Sequence, residues 1–72
     1  MSYVLITEIK SIARRTKSAK VREFCETAKI AISMGNFEIA DKMMQGALVS
    51  VRFGIKIEDR IIRVINTISK LI

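Results

Sequence analysis

Few side chains in this chain are equipped for chemistry, and their arrangement narrows what they can do. Cys25 is the single cysteine, and histidine is absent. Without imidazole the usual proton carrier near neutral pH is missing. One sulfur with no second cysteine or histidine cannot build a structural zinc site. Cys25 stands between Phe24 and Ala28 on an apolar stripe. That placement reads as a small core residue; the alternative is a reactive thiol, which needs exposure and nearby positive charge. Glu23 with Glu26, and Glu38 with Asp41, set carboxylates three residues apart. Such pairs hold a cation weakly or stand as solvated surface charge. No glycine-rich phosphate loop, dinucleotide fingerprint or nucleophile elbow is present. The expectation is a non-enzymatic protein with no cofactor and no metal.

One charged feature rises above this background. Lys10, Arg14, Arg15, Lys17, Lys20 and Arg22 fall between Glu8 and Glu23 with no acid among them. Lys10, Arg14 and Lys17 recur at helical spacing, opposite Leu5, Ile9 and Ile12, with Tyr3 on their side. Such a stripe suits a phosphate backbone or an acidic partner surface, with affinity that falls steeply with salt. It also suits an anionic membrane surface, or it is simply the solvated face of an amphipathic helix. Arg60, Arg63 and Lys70 add a smaller patch near the end of the chain. Stacking aromatics are scarce, since Tyr3 alone lies outside the apolar stripes. That argues against sequence-specific reading of single strands.

Thirteen basic and seven acidic residues leave a net charge of +6, and half of the 72 residues are hydrophobic. A chain this short makes one domain and buries only about 60–65% of the surface its unfolded form exposes. Apolar content of this order exceeds what so small a core hides, which points to self-association or to a protein partner. A lone cysteine forms no intramolecular disulfide and fits a reducing compartment. The N-terminal segment lacks the basic stretch of a signal peptide, and no run approaches the roughly 20 apolar residues of a membrane span. The expected location is the cytoplasm.

Four helices position these residues. Proline is absent and glycine occurs only at 35, 46 and 54, a pattern of long helices with rare breaks. The first is expected over about 3–17, with Leu5, Ile6, Ile9, Ile12, Ala13 and Thr16 on one face; its β-branched opening run also suits an extended start. Ser18 is the expected N-cap of a second helix over about 19–34, whose stripe is Val21, Phe24, Cys25, Ala28, Ala31 and Ile32. Gly35 follows as a left-handed stop, and Asn36 caps the third helix, about 37–53. Phe37, Ala40, Met44, Ala47, Leu48 and Val51 form its main apolar face. Ile39, Met43, Gly46, Ser50 and Phe53 form a second stripe, on which Gly46 either admits another helix closely or is merely tolerated. Gly54 is expected to end that helix. A fourth runs over about 57–72, with Ile57, Ile61, Val64, Ile65, Ile68, Leu71 and Ile72 aligned. The fold class expected is all-α: three to four helices in a compact bundle around a central antiparallel hairpin of residues 19–53.

The hairpin resembles a single tetratricopeptide-type repeat over residues 24–47. Phe24 matches the bulky position of the first helix and Ala28 and Ala31 the small packing positions. Gly35, Phe37 and Ala40 match the turn signature, and Met44 and Ala47 the bulky and small sites of the second helix. The sequence departs from the family at Thr27, where leucine is usual, and at Arg52, where proline is usual. The resemblance implies protein binding without catalysis. Read instead as a DNA-binding helix-turn-helix, the turn has Ala31 and Gly35 correctly spaced. Asn36 then stands where an apolar residue is usual, and Asp41 where the second helix buries one.

These readings converge on a small adaptor, inhibitor or regulator of another macromolecule. Its size and composition are similar to those of viral or mobile-element accessory proteins. The candidate protein interface is Ile39, Met43, Gly46 and Phe53 with Leu71 and Ile72, in a homo-oligomer or a partner complex. The alternative is a non-sequence-specific nucleic-acid binder acting through Lys10 to Arg22.

Overall fold

In the computed structural model, which describes residues 2–51 and 55–72, four helices account for most of the chain: α1 (Ser2–Arg15), α2 (Ala19–Ser33), α3 (Phe37–Ser50) and α4 (Ile55–Ser69). Phe53 and Gly54, which sequence assigned to the second stripe and to the end of α3, lie outside the described residues, as does Arg52. Three-residue connections join α1 to α2 and α2 to α3. Connections this short make consecutive helices antiparallel neighbours. Each helix packs on its neighbours in sequence, and α4 returns against α1 to close a four-sided bundle. The α2–α3 hairpin is its most extensively packed pair. A radius of gyration of 10.6 Å is close to the roughly 11 Å of a fully compact chain of this length.

The helical period accounts for the core. Leu5, Ile9, Ile12 and Ala13 from α1, Val21, Cys25, Ala28, Ala31 and Ile32 from α2, Ala40, Met44 and Ala47 from α3, and Ile61, Val64 and Ile68 from α4 are all buried. Every one of these residues was placed on an inward stripe by spacing alone. The alternative of an extended start is corrected: the chain is helical from Ser2. Burial of Leu5 and Ile9 needs the first turns wound, and packing outweighs the weak strand preference of Tyr3, Val4 and Ile6.

The turn between α2 and α3 follows from three adjacent groups. Gly35 adopts φ 76°, the left-handed region that side chains with a Cβ rarely enter. That reversal lets the Asn36 N–H donate to Ala31 O (2.8 Å) and the Gly35 N–H to Ile32 O (2.9 Å). These two bonds make a Schellman closure of α2. The Asn36 side chain then accepts from the Ile39 N–H and opens α3. Asn36 therefore closes one helix with its backbone and starts the next with its side chain. Ser18 caps α2 in the same manner, accepting from the Val21 N–H at 3.2 Å.

Several helix limits differ from those the periodicity suggests. The first helix stops at Arg15, not at 17. The third stops at Ser50, where Val51 turns extended at φ −72° and ψ 123°, rather than running on to 53. The fourth begins at Ile55 and ends at Ser69, leaving Lys70, Leu71 and Ile72 past its last turn. Side-chain periodicity continues past a helix end whenever the following residues also pack, so it places faces better than limits.

Candidate partner-binding site

A groove of about 590 Å³ lies between α1 and α2. Thr7, Lys10, Ala13 and Arg14 line it from α1, and Arg22, Glu26 and Lys29 from α2. On α1, Lys10 and Arg14 are one turn apart and flank the buried Ile9 and Ala13. On α2, Arg22 and Lys29 are two turns apart and flank Val21 and Cys25. The pairing of the two apolar faces therefore turns both basic flanks into one furrow. Glu26 supplies the only carboxylate of the lining and binds Lys29 at 3.0 Å.

Arg22 is held in place by the fold. Its Nε donates to Ala13 O at 3.4 Å and its Nη2 to Thr16 O at 3.1 Å. These carbonyls close the last turn of α1, where no glycine provides a left-handed stop, and a cation there also suits the helix dipole. Charge-assisted bonds of this kind contribute about 1–2 kcal/mol together once partial exposure is discounted. Arg22→Ala is expected to lower the melting temperature by about 4–10 °C, whereas Lys10→Ala, fully on the solvent side, leaves it nearly unchanged. Thermal unfolding followed by circular dichroism checks both.

The six basic residues singled out by sequence do not stay together. Lys10, Arg14 and Arg22 enter the groove. Arg15 lies on the other flank of α1, its Nε donating to Ser11 Oγ at 3.1 Å. Lys17 falls past the end of α1, so the stripe it was to extend is shorter than the spacing suggested. Lys20 lines a separate cleft of about 190 Å³ with Glu23, Phe24, Thr27 and Met43, on the α3 side of α2. Lys29 was not identified from sequence, because the basic run breaks at Glu23. Its spacing of seven residues from Arg22 is the signal that finds it.

The apolar interface candidates are distributed as well. The ring of Phe24 covers Gly46: a Cβ on that glycine would stand 2.7 Å from Phe24 Cε1. The close approach that Gly46 permits is thus made within the chain. Met43 packs partly buried against the core. Ile39 remains 44% exposed. On α4, Ile61, Val64 and Ile68 are consumed by the core. Leu71 and Ile72 line a shallow cleft beside the turn residues Gly35 to Glu38. Spacing did not single out several exposed apolar residues: Val4, Val49 and Ile62, and, nearest the turn, Ile30 and Met34, 60% and 77% exposed. The last two are one turn apart on the outer side of α2, a spacing readable once the inner stripe is removed.

Cys25 is fully buried, and desolvation pushes its thiol from the ordinary 9.0 up to about 11, with Glu26 adding to the effect and Lys29 opposing it. A raised thiol pKa keeps the neutral form in the folded state. Stability is therefore intact below about pH 9, where both states hold the proton, and falls by up to about 2–3 kcal/mol toward pH 11. Native protein is expected to resist thiol-specific reagents, and the Cys25→Ala variant is expected to lose less stability between pH 9 and 11. Urea titrations across that range measure the difference. The carboxylate pairs are engaged separately: Glu26 with Lys29, and Asp41 with Gln45 Nε2 at 2.8 Å. Among the described residues, no helix is long and apolar enough to cross a membrane.

Comparison with known protein families, with curated proteins and with solved structures finds no match to this chain.

Proposed function

We propose that this chain is a small non-enzymatic protein-binding module, an adaptor, inhibitor or regulator of another macromolecule in the reducing cytoplasm. The observation that carries this reading is the apolar exposure around the hairpin turn. Ile30, Met34 and Ile39 stand 60%, 77% and 44% exposed within ten residues of chain that reverses at Gly35. Isolated surface apolar residues need no explanation, but several near one turn mark a contact region. The resemblance to a tetratricopeptide-type hairpin points the same way, since such hairpins serve as protein-binding scaffolds.

The test is affinity capture from the native host with wild-type protein and with Met34→Glu/Ile39→Glu. Both side chains are exposed, so the variant keeps its melting temperature. Specific loss of a captured protein supports the reading; identical capture by both proteins overturns it. Light scattering on the same pair decides whether a second copy is the partner.

A second reading, non-sequence-specific nucleic-acid binding, is favoured by the four cations of the α1–α2 groove. It expects a gel shift whose affinity declines linearly in log salt and vanishes in Lys10→Glu/Arg14→Glu/Lys17→Glu. No shift at about 50 mM salt rejects it.

A further inference from the structure

We propose that the α1–α2 groove seats an acidic, extended segment of a partner polypeptide, with carboxylates on Lys10, Arg14 and the free edge of Arg22. This rests on the protein-binding reading and assigns it a second contact region, distinct from the hairpin turn.

Four cations and one carboxylate line the groove, leaving +3. The single carboxylate, Glu26, is already matched by Lys29 at 3.0 Å. Arg22 is pre-organised. Two of its five N–H groups are spent on Ala13 O and Thr16 O, so its plane is set before any ligand arrives and three donors remain. A guanidinium fixed in this way presents a fork suited to a carboxylate, at less entropic cost than a free arginine. The furrow between the helices also offers a partly apolar wall, Ala13 with the stems of Lys10 and Lys29, against which the methylenes of glutamate pack.

Three observations favour a polypeptide over a nucleic acid. A phosphate backbone needs cations spread along a track, and Arg15, Lys17 and Lys20 leave the groove, so the cations converge on a short site. The Glu26 side chain is 56% exposed in the wall and repels a polyphosphate more than a sparse run of carboxylates. Tyr3, 80% exposed, is the only strongly exposed aromatic among the described residues, so stacking on bases has little to draw on.

The experiment titrates a fluorescein-labelled peptide in which glutamates are spaced by alanine and serine into the full chain at low salt, followed by anisotropy, with a short DNA duplex as competitor. Lys10→Glu/Arg14→Glu is compared with Lys56→Glu/Lys70→Glu, which changes net charge equally on exposed sites away from the groove. The groove reversal is expected to weaken binding at least about tenfold, which is ~1.4 kcal/mol, and the control reversal less than about twofold. Amide shifts on peptide addition are expected at Thr7, Ala13 and Lys29, a readout independent of any variant. Equal weakening by both reversals, absence of shifts at those amides, or tighter binding of the duplex overturns the proposal. Host-protein capture separates the two ideas. Where the peptide ignores the groove but Met34→Glu/Ile39→Glu still abolishes capture, the groove assignment falls and the protein-binding reading stands. Capture unaffected by the turn variant overturns the protein-binding reading, and the groove assignment that rests on it.

Discussion

Truncating Ile61 to alanine is expected to remove about 2–5 kcal/mol of stability, close to the whole margin of a domain of this size. Ile61 is fully buried in α4 and belongs to the same core cluster as Ile9, Ile12 and Met44. Removing its outer carbons forfeits their transfer free energy and leaves a cavity that four short helices close only by shifting against one another. Because α4 packs on both α1 and α3, such a shift loosens two interfaces at once. The expected result in urea is a midpoint lowered severalfold toward zero, with one transition still seen by both far-UV dichroism and the dispersion of the core methyl resonances. Two separated transitions would contradict a bundle in which α4 is integral, and would instead make the α2–α3 hairpin an independent unit. An exposed substitution on the same helix, Arg63→Ala, serves as the control and is expected to change stability by no more than about 0.5 kcal/mol.

Gly46→Ala is expected to act with an unusual sign, and to couple strongly to Phe24. In a helix interior, alanine in place of glycine ordinarily stabilises by about 1 kcal/mol. Here the added methyl meets the Phe24 ring at 2.7 and 2.8 Å. The ring must move outward from its half-buried seat between α2 and α3, and overpacking of this kind costs about 1–3 kcal/mol. The net expectation is destabilisation by roughly 1 kcal/mol. In a Phe24→Ala background the clash is gone, and the same substitution is expected to stabilise by about 0.5–1 kcal/mol. The double-mutant cycle should therefore show a coupling of roughly 2 kcal/mol between positions 22 residues apart in sequence. A Gly46→Ala variant more stable than the parent protein would mean that the ring swings aside freely, and that the glycine is not what seats it.

The residues of these two predictions illustrate different degrees of legibility. Ile61 belongs to a stripe that spacing alone identifies, and its burial follows from the 3.6-residue period. The turn at Gly35–Asn36 was equally readable: a left-handed glycine, a capping asparagine and the bonds they make involve residues within a few positions of each other. Gly46 was readable as a place of close approach, but not what approaches it. The ring that fills that space comes from another helix, and rotating α2 by a fraction of a turn would send Phe24 elsewhere.

The candidate site divides along the same line. Lys10 and Arg14 are visible as a basic flank of one helix. Arg22 looked like one more member of the run, yet it closes the end of α1 with its guanidinium and shapes the groove it lines. Lys29 joins them only because α1 and α2 pair by their apolar faces. Helix identity, inward faces and caps were determined by the chain itself, because the hydrogen bonds and periodicity behind them are local and act before any helix meets another. The α1–α2 groove, the separation of Lys17 and Lys20 from it, and the seating of Phe24 over Gly46 were decided by tertiary structure, because each depends on the rotation and offset of two helices. Those variables are set by how side chains interlock across the whole core.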